Sequence, residues 1–92
     1  MVYVIVAHRI NDKSFIGDLT FGERDPLADE FCKLMGITRT TIRKVYNEKQ
    51  LIDICKYIPE TITERADRKM IKEFLTVCIE DAKGSNIDIL FH

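Results

Sequence analysis

The sequence predicts an α+β fold, in which an N-terminal hairpin and a C-terminal strand form a small sheet with three to four helices packed on one face. Residues 2–8 are a nearly continuous β-branched and aromatic run, and residues 86–92 alternate apolar with polar side chains. Between them, helix-capping sequences and apolar residues at helical spacing recur. The 92 residues suit a single domain, 1–92.

The N-terminal run predicts a buried strand and the first half of a hairpin. It lacks a basic flank and a cleavage segment, so we do not interpret it as a signal peptide. Residues 11–13 (Asn-Asp-Lys) are typical of a turn, and residues 15–21 alternate loosely on the far side of it. Gly17 within the second strand indicates a bulge.

Two helix starts follow the hairpin. The Asp-Pro pair at 25–26 combines a capping side chain with proline at the first helical position, and predicts a helix to about Met35. The Asn-Glu-Lys-Gln sequence at 47–50 resembles a capping box and predicts a helix through Ile58, which Pro59 ends.

A third capping sequence, Thr-Ile-Thr-Glu at 61–64, predicts the longest helix, which runs to about Lys83 and ends at Gly84. Its charged side chains are of mixed sign, a pattern typical of a solvated face. Its predicted inward-facing residues are Met70, Ile71, Phe74, Leu75, Val77 and Cys78.

Residues 28–47 carry the clearest functional signal, because their spacing is that of a helix-turn-helix. The first helix would bury Phe31, Leu34 and Met35, with the small side chain of Cys32 where two helices approach. Gly36 falls just past the helix end, where a left-handed backbone favours glycine. Ile37 would fill the corner and Thr38 would cap the next helix.

The second helix of that motif would span residues 39–46, because Ile42, Val45 and Tyr46 fall at i, i+3 and i+4. The outward-facing residues would be donors suited to phosphates and base edges, namely Arg39, Thr40, Thr41, Arg43 and Lys44.

The intrinsic secondary-structure preferences of the residues favour a strand, not a helix, in the second half of this motif. Residues 40–46 are rich in β-branched and aromatic types, which favour a strand ending at Asn47. The chain would then be a β-β-α-β-α-α-β sandwich with no helix to read DNA.

The sequence Gly-Ile-Thr-Arg-Thr-Thr-Ile-Arg at 36–43 resembles the helix-turn-helix of bacterial and archaeal repressors and recombinases. The resemblance covers residues 28–47 only. It implies a small DNA-binding protein, a transcriptional regulator that binds duplex DNA as a homodimer. It further implies that Arg39, Thr40 and Arg43 face the groove. Lys44 and Lys49 would then contact the DNA backbone.

A second hypothesis is a small α/β protein without a DNA role, which acts as an interaction module or binds a small ligand near His8 and Arg9. Polar residues that follow a strand, here His8, Arg9 and Asp12, are a common place for functional groups. No constellation of residues fixes a catalytic reaction, so an enzyme is the less favoured class, and no catalytic residue is assigned.

Composition limits the remaining classes. The net charge of −1 is not that of a strongly basic nucleic-acid binder, although residues 39–49 are locally basic. Three cysteines without paired short spacings predict buried reduced thiols in a cytoplasmic protein, and neither a metal site nor a cofactor. No apolar run is long enough to span a membrane.

Overall fold

The computed structural model describes residues 2–92 and confirms the α+β class. Four strands and four helices occur within these residues. In chain order they are β1 (Val2–Arg9), β2 (Phe15–Gly22), α1 (Pro26–Met35), β3 (Arg43–Tyr46), α2 (Glu48–Lys56), α3 (Ile58–Thr61), α4 (Arg65–Asp81) and β4 (Ile87–Phe91). This is the order of the β-β-α-β-α-α-β alternative, with the short helix α3 added.

The strands form one antiparallel sheet in the order β2-β1-β4-β3. The predicted hairpin and C-terminal strand are therefore confirmed, and β4 is inserted between β1 and β3. The register of the hairpin shifts where Ala7 faces Gly17 and His8 faces Phe15. Ile16 is thus the extra residue of a bulge, next to the glycine that predicted it.

The two faces of the sheet differ in burial. Alternate residues of all four strands point into the helical layer and are buried, namely Tyr3, Ile5, Ala7, Leu19, Phe21, Tyr46, Ile87, Ile89 and Phe91. The residues between them, including Val4, Val6, Asp88 and Leu90, are only half-buried. The helices therefore cover one face of the sheet and leave the other face open to solvent.

The caps of α1 match the prediction. The Asp25 carboxylate accepts a hydrogen bond from the Leu27 amide at 3.0 Å, and Pro26 is the first helical residue. Gly36 ends the helix with a φ of 70°, in the left-handed region. The predicted inward-facing residues of this helix are also buried, and Cys32 lies among them.

The helix predicted over residues 39–46 is wrong. Residues 38–41 form a turn in which the Thr41 amide donates to the Thr38 carbonyl at 3.1 Å, and β3 follows. Two contacts favour an extended backbone at residues 43–46. These residues pair with the edge of β4, and the buried Tyr46 hydroxyl donates a hydrogen bond to the Met35 carbonyl at 2.8 Å. The β-branched composition therefore prevails over the helical spacing. Ile42, predicted to be inward-facing, is 73% exposed.

The second and third capping sequences have different outcomes. Asn47 and Gln50 form the predicted capping box, although α2 ends at Lys56 and Pro59 lies in the first turn of α3. The box predicted at 61–64 does not form. Instead the Glu30 carboxylate accepts hydrogen bonds from the amide and the hydroxyl of Thr63, at 3.1 and 3.0 Å.

Helix α4 buries Ile71, Phe74, Leu75 and Cys78 against the sheet, as predicted. Met70 and Val77, predicted to be inward-facing, are exposed, so the apolar stripe is narrower than the sequence suggests. Burial raises the pKa of the Cys78 thiol to about 12. Within residues 2–92, no helix has the length and apolar character that crossing a bilayer requires.

Candidate functional site

A cleft of about 390 Å³ lies at one end of the open face of the sheet. It is bordered by the end of β1, the β1–β2 turn, the start of β3 and the middle of β4. Its lining residues are His8, Arg9, Ile10, Lys13, Arg43, Asp88 and Leu90. Four of these carry basic side chains and one carries a carboxylate.

Strand register brings the central residues of the cleft together. His8 and Asp88 are cross-strand partners on β1 and β4, and Arg43 on β3 is the partner of Leu90. Side chains at such positions share a face of the sheet. The long-range pairing of β4 with both β1 and β3 therefore builds the site.

Arg43 and Asp88 form the strongest polar contact of the cleft. The Arg43 Nε donates a hydrogen bond to Asp88 Oδ1 at 2.6 Å, and this bond raises the pKa of the guanidinium. The Asp88 side chain is 18% exposed, whereas that of Arg43 is 55% exposed. The carboxylate is thus largely covered, and the guanidinium keeps donors that face solvent.

The β1–β2 turn supplies the second cation. Lys13 has a φ of 59°, and its amide donates to the Arg9 carbonyl at 2.9 Å. Asp12 Oδ1 accepts hydrogen bonds from the amide and the hydroxyl of Ser14, at 3.0 and 2.7 Å, and these bonds lower the pKa of Asp12. Asp12 is engaged with Ser14 and does not line the cleft, and Lys13 forms no ion pair within residues 2–92.

Arg9 lines the cleft, but its guanidinium lies near Asp12 and Gly84, which do not line it. Its Nε lies 3.9 Å from Asp12 Oδ1, too far for a hydrogen bond, and is buried without a hydrogen-bond partner within residues 2–92. One of its terminal nitrogens lies close to Gly84 in the α4–β4 loop. Arg9 therefore contributes positive charge near the cleft while its guanidinium packs toward the helical layer.

An aromatic contact fixes the remaining wall. The rings of His8 and Phe15 meet edge to face with centroids 6.0 Å apart, and Phe15 is 61% exposed. Phe15 therefore packs against a lining residue, and the cleft itself is a polar, basic concavity whose apolar lining residues are Ile10 and Leu90. Such an arrangement can bind an anionic group and exclude water from one side of it.

The residues predicted to bind DNA do not share a surface. The Arg39 guanidinium lies 3.2 Å from Asp29, donates to the Glu23 carbonyl and stacks 4.8 Å from the centroid of the Tyr3 ring. Thr40 and Thr41 hydrogen-bond within the 38–41 turn.

The other three predicted DNA contacts are equally separated. Arg43 and Lys44 are successive residues of β3, so their side chains leave opposite faces of the sheet. The Lys44 ammonium lies 5.1 Å from the centroid of the Tyr46 ring, and Lys49 is exposed in the first turn of α2. Only Arg43 of the predicted set lies in the cleft.

The sequence predicts only part of the cleft. His8 and Arg9 form the predicted ligand site, and both line the cleft. Lys13 is predicted only as part of a turn and Asp88 only as part of a strand. No local signal marks either residue, because they meet Arg43 only when β4 pairs between β1 and β3.

Within residues 2–92, no group of three or more His, Cys, Asp or Glu side chains is placed to hold a metal ion. Comparison with models of protein families, with curated proteins and with solved structures finds no match.

Proposed function

We propose that this protein is a small α/β ligand-binding protein, and that the cleft on the open face of the sheet binds a small anion. The supporting observation is the charge balance of the cleft. Lys13 and Arg43 face one carboxylate, Asp88, with His8 and Arg9 beside them. A phosphate or carboxylate group would complete the hydrogen bonding of the exposed Arg43 donors.

The ion pair between Arg43 and Asp88 leaves Arg43 accessible to a ligand. The carboxylate is 18% exposed, whereas the guanidinium is 55% exposed and keeps donors that face solvent. Arginine presents a planar fork that can hold Asp88 with one edge and a ligand oxygen with another. The negative charge of Asp88 nevertheless opposes an incoming anion, so Asp88 competes with the ligand for Arg43.

Titration calorimetry tests this proposal with two probes, inorganic phosphate and citrate. The wild type should bind at least one of them at low ionic strength, and the pair distinguishes phosphate from carboxylate chemistry. Arg43→Gln removes the exposed donors and should weaken binding by about tenfold, because a charge-assisted hydrogen bond is lost.

Lys33→Gln is the matched control, since it removes one positive charge from an exposed side chain on α1. It should leave the affinity within about twofold of the wild type, because Lys33 does not line the cleft and can donate no hydrogen bond to an anion bound there. Equal weakening by both variants, or no binding of either probe by the wild type, would refute the proposal.

Duplex DNA binding, transcription regulation and a cytoplasmic location stay predictions. A recognition helix no longer supports DNA binding, because residues 43–46 form a strand.

A homodimer also stays a prediction. Strand β2 supports it, since eight residues with one unpaired edge can add to a second sheet. Light scattering after gel filtration would measure the mass directly.

A further inference from the structure

A second basic surface lies on α4, away from the cleft. Arg65, Arg68, Lys69 and Lys72 follow a spacing of three, one and three residues, which places them on one side of the helix. They border a groove of about 360 Å³ whose other lining residues are Cys55, Ile58 and Pro59. We call these four cations the α4 stripe.

The α4 stripe is not neutralised. No carboxylate lines the groove, and none of the four cations forms an ion pair within residues 2–92. Glu73 adjoins Lys69 and Lys72 in a neighbouring concavity and marks the end of the positive surface. The four cations therefore share a groove that no carboxylate lines, and the nearest acidic residue of that surface borders them at Lys69 and Lys72.

Helix stability does not explain the α4 stripe. Arg65 is the first residue of α4, the end at which the helix macrodipole disfavours positive charge. The Arg68 Nε donates to the Ile62 carbonyl at 2.6 Å, which fixes the guanidinium and leaves its terminal nitrogens free. A row of cations without ion-pair partners, one of them fixed by a hydrogen bond, is complementary to a row of anions.

We propose that the α4 stripe binds the phosphate backbone of duplex DNA. The cations from Arg65 to Lys72 extend over about 10 Å of helix, a length that spans several phosphates of one strand. This proposal does not depend on the anion cleft, because it uses different residues on the opposite layer of the fold. It assigns backbone contacts and no base recognition.

Other polyanions fit the surface less well. Single-strand binders stack bases on aromatic side chains, and no aromatic residue lines this groove. A helix that binds membranes must insert its apolar face, and that face of α4 is buried as Ile71, Phe74 and Leu75. An exposed basic helix without stacking partners matches a duplex backbone.

Fluorescence anisotropy against a short mixed-sequence duplex at several salt concentrations tests the proposal. Four neutralised phosphates predict a slope of log affinity against log salt near −3.6, and about 150-fold weaker binding at about 200 mM than at about 50 mM salt. The double variant Lys69→Gln/Lys72→Gln should lower the slope to about −1.8 and the salt effect to about 12-fold.

The matched control is Lys33→Gln/Lys83→Gln, which removes the same charge from exposed lysines outside the α4 stripe. It should keep the wild-type slope. Equal slopes for the two double variants would overturn the proposal, as would the absence of duplex binding by the wild type at about 50 mM salt. Binding to vesicles that contain phosphatidylserine, without binding to the duplex, would likewise overturn it.

Discussion

The two faces of the sheet are formed by the same four strands but differ in burial and in the side chains that they carry. On the covered face, Ile5, Ile87 and Ile89 are fully buried against the helices. On the open face, the intervening positions hold half-buried valines, Leu90 and the Arg43–Asp88 ion pair. Alternation along each strand therefore separates the residues that hold the fold together from those that can contact a ligand.

This difference explains why charged residues can occupy the middle of a four-stranded sheet. Asp88 lies between two fully buried isoleucine residues of β4, yet its own side chain keeps access to solvent and to Arg43. A carboxylate on the covered face would lose its hydration without a partner, at a cost of several kcal/mol. Function is therefore expected on the open face and stability on the covered one.

The largest effect should come from truncating neighbouring residues of β4. Ile89→Ala leaves a cavity in the covered face and should lower the free energy of unfolding by about 3–4 kcal/mol. Leu90→Ala removes a half-buried side chain from the open face and should cost about 1 kcal/mol or less. Urea denaturation measures both, and equal losses would contradict the division between the faces.

A smaller effect should come from Tyr46, which lies on the covered face at the end of β3. Tyr46→Phe removes the hydrogen bond to the Met35 carbonyl and should cost about 1–2 kcal/mol at neutral pH. Burial raises the pKa of Tyr46 above its usual value of 10.0, so the folded state favours the protonated phenol.

The sign of the pH dependence follows from that shift. The contribution of Tyr46 is fully present below pH 10.0 and is lost as the pH rises toward the folded-state pKa. The wild type should therefore lose stability above about pH 10, and Tyr46→Phe should lose less over the same range. Urea denaturation over this pH range measures both free energies of unfolding. If they decline in parallel, Tyr46 does not contribute to the pH dependence.

The smallest effect concerns the open face alone. Asp88→Asn removes the carboxylate that competes for Arg43 and keeps the side-chain size, so phosphate or citrate should bind about threefold to fivefold more tightly. Titration calorimetry checks this increase. Weaker binding would instead mean that Asp88 must hold Arg43 in place, which would reverse its assigned role as competitor.

Local signals predicted the parts of the fold that depend on neighbouring residues in sequence. Asp25, Pro26 and Gly36 mark both ends of α1, and Asn47 with Gln50 marks the start of α2. These caps involve contacts over two to four residues, so the sequence contains the whole interaction.

Long-range contacts decided the rest. Residues 43–46 satisfy a helical spacing, but pairing with β4 across more than forty residues makes them a strand. The predicted cap of α4 does not form, and Thr63 instead donates hydrogen bonds to Glu30, a residue of α1. For the same reason the sequence identified His8 and Arg9 of the cleft, which adjoin in the chain, and missed Asp88, which strand pairing brings to them.

The central claim is that strand pairing builds an anion site on the open face. Chemical-shift mapping of the isotope-labelled protein during titration with inorganic phosphate tests it most directly. We expect the perturbed amides to cluster at residues 8–13, at Arg43 and at 88–90, with α1 unaffected. Shifts confined to α4, or no shifts at all, would contradict the claim.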